Sequence, residues 1–173
     1  LKETGPYRLL QVAADYAARG RFRDLAALAR HPDVYAWLLA HLPPPIMSER
    51  AGEKGQRPHD ILSTLDKFAA DSLPARIDAE RLEKDAELAE IRAIYSAIDY
   101  LIKSLAQPSK PLAAWVVPLR DLLMQVYGPR ELDRNKPHDG YLMEALEWTS
   151  SALATLSEVP VELQPAVDAR EAV

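Results

Sequence analysis

Cysteine is absent from all 173 residues. This excludes disulfides and thiolate metal sites and leans toward a reducing compartment, so a cytoplasmic location is expected. No apolar run approaches the roughly 18 residues of a membrane-spanning helix, and the N-terminus lacks the charged and apolar regions of a signal peptide, so no membrane association is expected. Positive charge is not in excess: 21 Lys and Arg face 26 Asp and Glu, for a net charge of −5. That balance excludes a surface wholly given over to nucleic acid but leaves room for local basic patches. Glycine is scarce, at six residues, and the Val/Ile/Thr alternation that marks strands is nearly missing.

What is present is a recurrence of apolar residues at spacings of three and four almost throughout, which predicts an all-α fold: an irregular multi-helix bundle of about seven helices, one of them long. A chain of this length fits one domain that buries roughly 70% of its unfolded surface. The helical domain is expected over residues 1–160, with a long loop at 43–58, a second loop at 128–138, and a tail at 161–173 that carries a short helix from Pro165 and leads into a further domain. The start at Leu1, without methionine, suggests either a piece of something longer or a disordered segment ahead of it.

The first helix is expected from Thr4-Gly5-Pro6 to Gly20, with Thr4 as cap and Pro6 in the first turn. Helices follow at 23–30, at 32–42 and from Asp60 to Pro74. The longest element is expected over 75–106, with a charged first half in which Glu80 and Lys84 pair and a second half striped by Ile91, Ile94, Ile98, Leu101 and Leu105. Pro118 either bends or splits the helix at 112–127, since a proline inside a helix removes a backbone bond. A final long helix runs from Asp139 to Ser157, with Leu142, Leu146, Leu153 and Leu156 inward. Trp37, Trp115 and Trp148 all stand in apolar helical contexts and are expected in the core.

His31-Pro32-Asp33 matches the tripeptide of co-chaperone J-domains, but an apolar helix, Val34-Tyr35-Ala36-Trp37, begins at once where a J-domain has basic and amide residues. Pro58-His59-Asp60 and Pro137-His138-Asp139 repeat the same residue types. Proline suits the first helical turn, and a carboxylate there meets unpaired amides and the positive end of the helix dipole, so all three read as helix starts.

Chemistry-bearing patterns are missing. There is no His-Glu-x-x-His, no Gly-x-Ser-x-Gly and no glycine-rich phosphate cradle. Glu53-Lys54 and Glu83-Lys84 are adjacent, which fails the acid-x-lysine spacing of a metal-dependent nuclease. A non-enzymatic chain is expected, with no catalytic residue, cofactor, metal or small-molecule ligand. Three basic clusters are candidates for contact with DNA phosphates: Arg19, Arg21 and Arg23; Arg50, Lys54 and Arg57; and Arg130, Arg134 and Lys136. Glu49, Glu53, Glu131 and Asp133 interleave the latter two, so a solvated loop is the alternative reading.

The stretch "ETGPYRLLQVAADYAARGRFRDLAALARHPDVYAWL", residues 3–38, joins a Thr-x-Pro opening, a polar hinge and a Leu-rich helix leading into His-Pro. It resembles the helical insertion of AddB-type subunits of bacterial helicase-nucleases, which carry an inactivated superfamily I helicase. "SKPLAAWVVPLRDLLMQVYG", residues 109–128, is similar to the helix that precedes the second RecA-like core of that family. The resemblance implies a non-catalytic scaffold in double-strand-break processing, with DNA and a helicase motor subunit as partners. The RecA-like cores and the C-terminal nuclease with its cluster-binding cysteines have no counterpart here, so no catalytic residue carries over. The alternative from another class is a stand-alone helical adaptor that binds a protein partner through an exposed helix face.

Overall fold

A computed structural model describes residues 4–42, 60–72 and 74–173. The described residues form eight α-helices, three short 3-10 turns and one two-stranded sheet, so the fold is all-α. The expected loop at 43–58, with Arg50, Lys54 and Arg57, lies outside the described residues. No described helix is long and apolar enough to cross a membrane.

Helix α1 (Gly5–Arg19) has Thr4 at its N-cap position, Pro6 in its first turn and Gly20 at its end. Gly20 adopts φ 60° and ψ 28°, the left-handed conformation that glycine tolerates without a Cβ penalty, and its amide donates to the Tyr16 carbonyl at 2.8 Å. Helices α2 (Phe22–Ala29) and α3 (Pro32–His41) follow after turns of two residues, and α4 (Ile61–Ser72) begins where Asp60 Oδ1 accepts the Ser63 amide at 3.0 Å.

The single helix expected over 75–106 is three pieces instead: α5 (Ala79–Lys84), a 3-10 turn at Ala86–Leu88, and α6 (Ala89–Ile102). Two aspartates account for the division, because a short carboxylate side chain competes with the helix for nearby amides. Asp78 Oδ1 accepts the amides of Glu80 and Arg81 at 3.1 and 3.2 Å and so starts α5. Asp85, in an extended conformation, accepts the Glu87 amide at 3.0 Å and separates α5 from the next turn. The expected Glu80–Lys84 pair forms at 3.4 Å on the exposed face of α5, and the apolar stripe of the second half is buried as α6.

Pro118 splits the segment at 112–127 rather than bending it. A 3-10 turn at Leu112–Trp115 gives way to α7 (Val116–Tyr127), which places the proline in the first turn, where an absent N–H costs no intrahelical bond. Helix α8 (Pro137–Leu156) is the longest, at 20 residues.

The tail differs from expectation. No helix starts at Pro165; a 3-10 turn at Val161–Leu163 leads into strand β2 (Ala166–Val167), which pairs antiparallel with β1 (Lys110–Pro111). Prolines at 160 and 165 shorten any helix there, and tertiary bonds fix the extended alternative. Trp115 Nε1 donates to the Val167 carbonyl at 2.9 Å, the Ala113 amide donates to Gln164 Oε1 at 3.0 Å, and Tyr7 Oη donates to the Val173 carbonyl at 3.2 Å. Ala169 and Ala172 are buried beneath this strap.

One apolar cluster unites the helices. Leu9 and Ala13 of α1, Leu25 and Leu28 of α2, Leu38 of α3, Ile98 and Leu101 of α6, and Leu119 and Leu122 of α7 are fully buried in it. Trp37 and Trp115 join this core as expected, but Trp148 does not: it is 60% exposed. On α8, Trp148 lies roughly 120° around the helix from the leucine stripe, so the side that faces the bundle cannot include it.

Trp115 is both the largest fully buried side chain and the anchor of the tail. Trp115→Ala should lower the unfolding free energy by about 3–5 kcal/mol, the usual cost of emptying a buried aromatic site, in urea denaturation followed by circular dichroism. A loss below about 1 kcal/mol would show that the strap does not depend on this ring.

Candidate interaction surface

His31-Pro32-Asp33 is a helix start, and it is also a junction. Pro32 opens α3, and the His31 Nδ1 accepts the Asp33 amide at 3.3 Å, capping the helix. The other ring nitrogen, Nε2, lies 3.2 Å from the carbonyl of Gly5 at the start of α1. A neutral imidazole with its proton on Nε2 satisfies both contacts. Burial lowers the His31 pKa below the ordinary histidine value; Asp33 and the Gly5 carbonyl oppose that shift, and Arg8 and Arg130 reinforce it.

Asp33 then ties the end of α7 to the same point. Its Oδ2 accepts the Tyr127 hydroxyl at 2.7 Å, its Oδ1 accepts from Arg130 at 2.7 Å, and its carbonyl accepts a second Arg130 nitrogen at 3.3 Å. The guanidinium also lies 5.0 Å from the Tyr127 ring centroid. A Cβ added at Gly5 would come within 3.4 Å of Asp33 Oδ2, so the carboxylate also sits against the positive end of α1. Desolvation and the bond to Asp33 raise the Tyr127 pKa and keep the phenol protonated.

Beside this junction is a groove of about 550 Å³ between the start of α1 and the exposed side of α8. Pro6, Leu142 and Ala145 form its apolar wall, while Tyr141 and Trp148, 74% and 60% exposed, form its rim. A second recess of about 560 Å³ adjoins it and shares Tyr141, Glu144 and Trp148, so these three side chains form the ridge between the two hollows.

The basic residues singled out from sequence have different fates. Arg130 belongs to the Asp33 junction. Arg134 pairs with Glu147 at 2.6 Å, and Arg19 pairs with Asp15 at 3.2 Å, a carboxylate that Arg170 also reaches at 3.0 Å. Lys136 occupies the N-cap position of α8 with its side chain exposed. Arg21 and Arg23, at the start of α2, come together with Arg76 around a recess of about 310 Å³; Arg23 also meets Asp24 at 3.5 Å. Sequence reasoning did not include Arg76, which is brought to α2 by the bond from the Phe22 amide to the Ala75 carbonyl at 3.0 Å.

Tyr141 was not singled out from sequence and Trp148 was placed in the core, although a signal for both was there. They are seven residues apart, and both fall off the Leu142, Leu146, Leu153 stripe. His138 is exposed at the groove, and His59 lies outside the described residues. Among the described residues no group of three or more His, Asp or Glu is placed to hold a metal ion. No family model, curated protein or solved structure matches the chain.

Two outcomes follow from the junction. Asp33→Ala leaves a partly buried guanidinium and phenol without their acceptor and should cost about 2–4 kcal/mol in urea denaturation; a cost under about 0.5 kcal/mol would make the junction incidental. Because the folded His31 pKa is depressed, the unfolded chain takes up the proton first as pH falls through about 6.5, so folding stability declines below that pH. His31→Asn, which keeps a capping acceptor without a titrating ring, should flatten the decline between about pH 6.5 and 5. Parallel profiles for the two proteins would place the titration elsewhere.

Proposed function

We propose that this chain is a non-catalytic helical module that docks a protein partner in the groove between α1 and α8. The observation that carries this reading is the pair of exposed aromatics, Tyr141 and Trp148, on a ridge above an apolar wall. Tyrosine and tryptophan are the side chains that most often dominate protein interfaces, since each covers a large area at little entropic cost. A contiguous apolar hollow with a polar margin is the usual form of such a surface. The α1 wall of the groove is held at the Asp33 junction and the α8 wall by packing on α1 and α7, so the docking surface is preorganised, which lowers the cost of binding. The AddB-like resemblance is compatible with this reading, because it implies a helical subdomain that supports partner contacts.

A second reading, contact with a DNA backbone, is favoured by one observation, the convergence of Arg21, Arg23 and Arg76 on a single recess. Arg19, Arg130 and Arg134 support it less, because each already holds a carboxylate of the same chain.

The two readings separate in solution. A random displayed-peptide library panned on the chain should yield ligands that lose at least about tenfold in affinity against the Tyr141→Ala/Trp148→Ala double variant and are indifferent to Arg21→Ala/Arg23→Ala/Arg76→Ala. Fluorescence anisotropy with forked, duplex and single-stranded DNA tests the alternative. Binding that weakens steeply with salt and disappears in the triple arginine variant, with no groove-dependent peptide recovered, would replace the first reading by the second.

A further inference from the structure

The groove has a charge pattern as well as a shape. Its lining contains two carboxylates, Asp33 and Glu144, and neither lysine nor arginine. Asp33 is occupied by Arg130 and Tyr127 and lies against the start of α1. On the far side of the ridge, Glu147 is occupied by Arg134. Glu144 is exposed, lines both hollows, and has no hydrogen-bond or ion-pair partner among the described residues. The carboxylate left to meet a ligand is therefore the one that stands between the two exposed rings.

Helix geometry fixes how these groups are arranged. Tyr141 and Trp148, seven residues apart, lie within roughly 20° of one another around the axis and about 10.5 Å apart along it. Glu144 falls between them in height and about 60° to the side. A lysine or arginine side chain laid on this ridge can reach the aromatic surface and the carboxylate together. The chain already uses such pairings internally: Lys110 lies 4.2 Å from the centroid of the Trp115 ring, and Arg130 lies 5.0 Å from that of Tyr127.

We propose that the ridge of Tyr141, Glu144 and Trp148 receives an amphipathic helix of a protein partner, recognised through a lysine or arginine side chain that lies along the two rings and pairs with Glu144. This rests on the docking reading of the groove and adds the chemistry of the occupant. Apolar residues of the partner helix on either side of the basic one cover Pro6, Leu142 and Ala145, in the manner of helix-in-groove recognition. A cation is selected because an acidic or neutral side chain at that point leaves Glu144 beside a like charge or desolvated without a partner.

The test uses a displayed library of ~16-residue amphipathic sequences whose polar positions sample Lys, Arg, Glu, Asp, Gln and Ser equally. It is panned on the full chain after depletion on the Trp148→Ala chain. Recovered peptides should be enriched in Lys or Arg at one position and lose at least about tenfold in affinity against Glu144→Gln, while Glu144→Asp retains most of it. Panning on Glu144→Lys should reverse the preference to Glu or Asp. Peptides that need Trp148 but carry no preferred charge and are indifferent to Glu144→Gln would overturn the cationic inference and leave apolar docking standing. If no recovered peptide depends on Trp148, both fall.

Discussion

The carboxylate of Asp33 is the point on which the arrangement of the helices turns. Three neighbours converge on it: the positive end of α1, the hydroxyl of Tyr127 at the end of α7, and the guanidinium of Arg130 just beyond it. His31, two residues earlier, binds the Gly5 carbonyl with one nitrogen and caps α3 with the other. Each contact is local and modest. Together they fix where α1, α3 and α7 meet, because Asp33 and Arg130 are only partly exposed and a misplaced helix would leave one of them desolvated without a partner. Apolar packing alone tolerates small slides of one helix along another; a set of directional bonds at one end does not.

The groove owes one of its two walls to that junction. One wall is the first turn of α1, held by His31 and Asp33, and the other is the outer side of α8, which packs on α1 and α7 through its leucine stripe. The core is complete without Tyr141 and Trp148, since the large aromatic positions in it are filled by Tyr16, Phe22, Trp37, Phe68, Trp115 and Tyr127. The two rings on α8 therefore contribute little to folding from where they stand. Large exposed aromatics next to an apolar hollow are what the proposed docking of a partner rests on.

Charge is distributed in the same economical way. Among the described residues, Arg19, Arg130 and Arg134 are answered within the chain by Asp15, Asp33 and Glu147; the first pair lies within α1, and the other two tie the segment after α7 to α3 and to α8. Arg30 and Asp66 do the same between α2 and α4. Apart from these pairs, Arg21, Arg23 and Arg76 share a recess at α2 and Glu144 stands on the ridge of α8, two chemically distinct places on the described surface.

The sequence by itself determined the helices and most of their limits, because these follow from neighbours along the chain. The three-and-four spacing of apolar residues, Pro6 and Gly20 at the two ends of α1, Pro32 as the first residue of α3 and Pro137 as the first of α8 each act within a turn or two. Asp78 and Asp85 act just as locally, and the break they make in the expected long helix was legible as capping rather than as apolar period. Only the tertiary structure decided that residues 166 and 167 are a strand, that Arg130 and Arg134 are spent on carboxylates far away in sequence, and that Arg76 joins Arg21 and Arg23. It also decided that the side of α8 carrying Trp148 and Tyr141 stands over a hollow walled on the other side by the start of α1. Periodicity assigns a residue to a side of its own helix; what that side faces depends on where the other helices come to rest, and contacts between distant segments leave no mark on the local pattern.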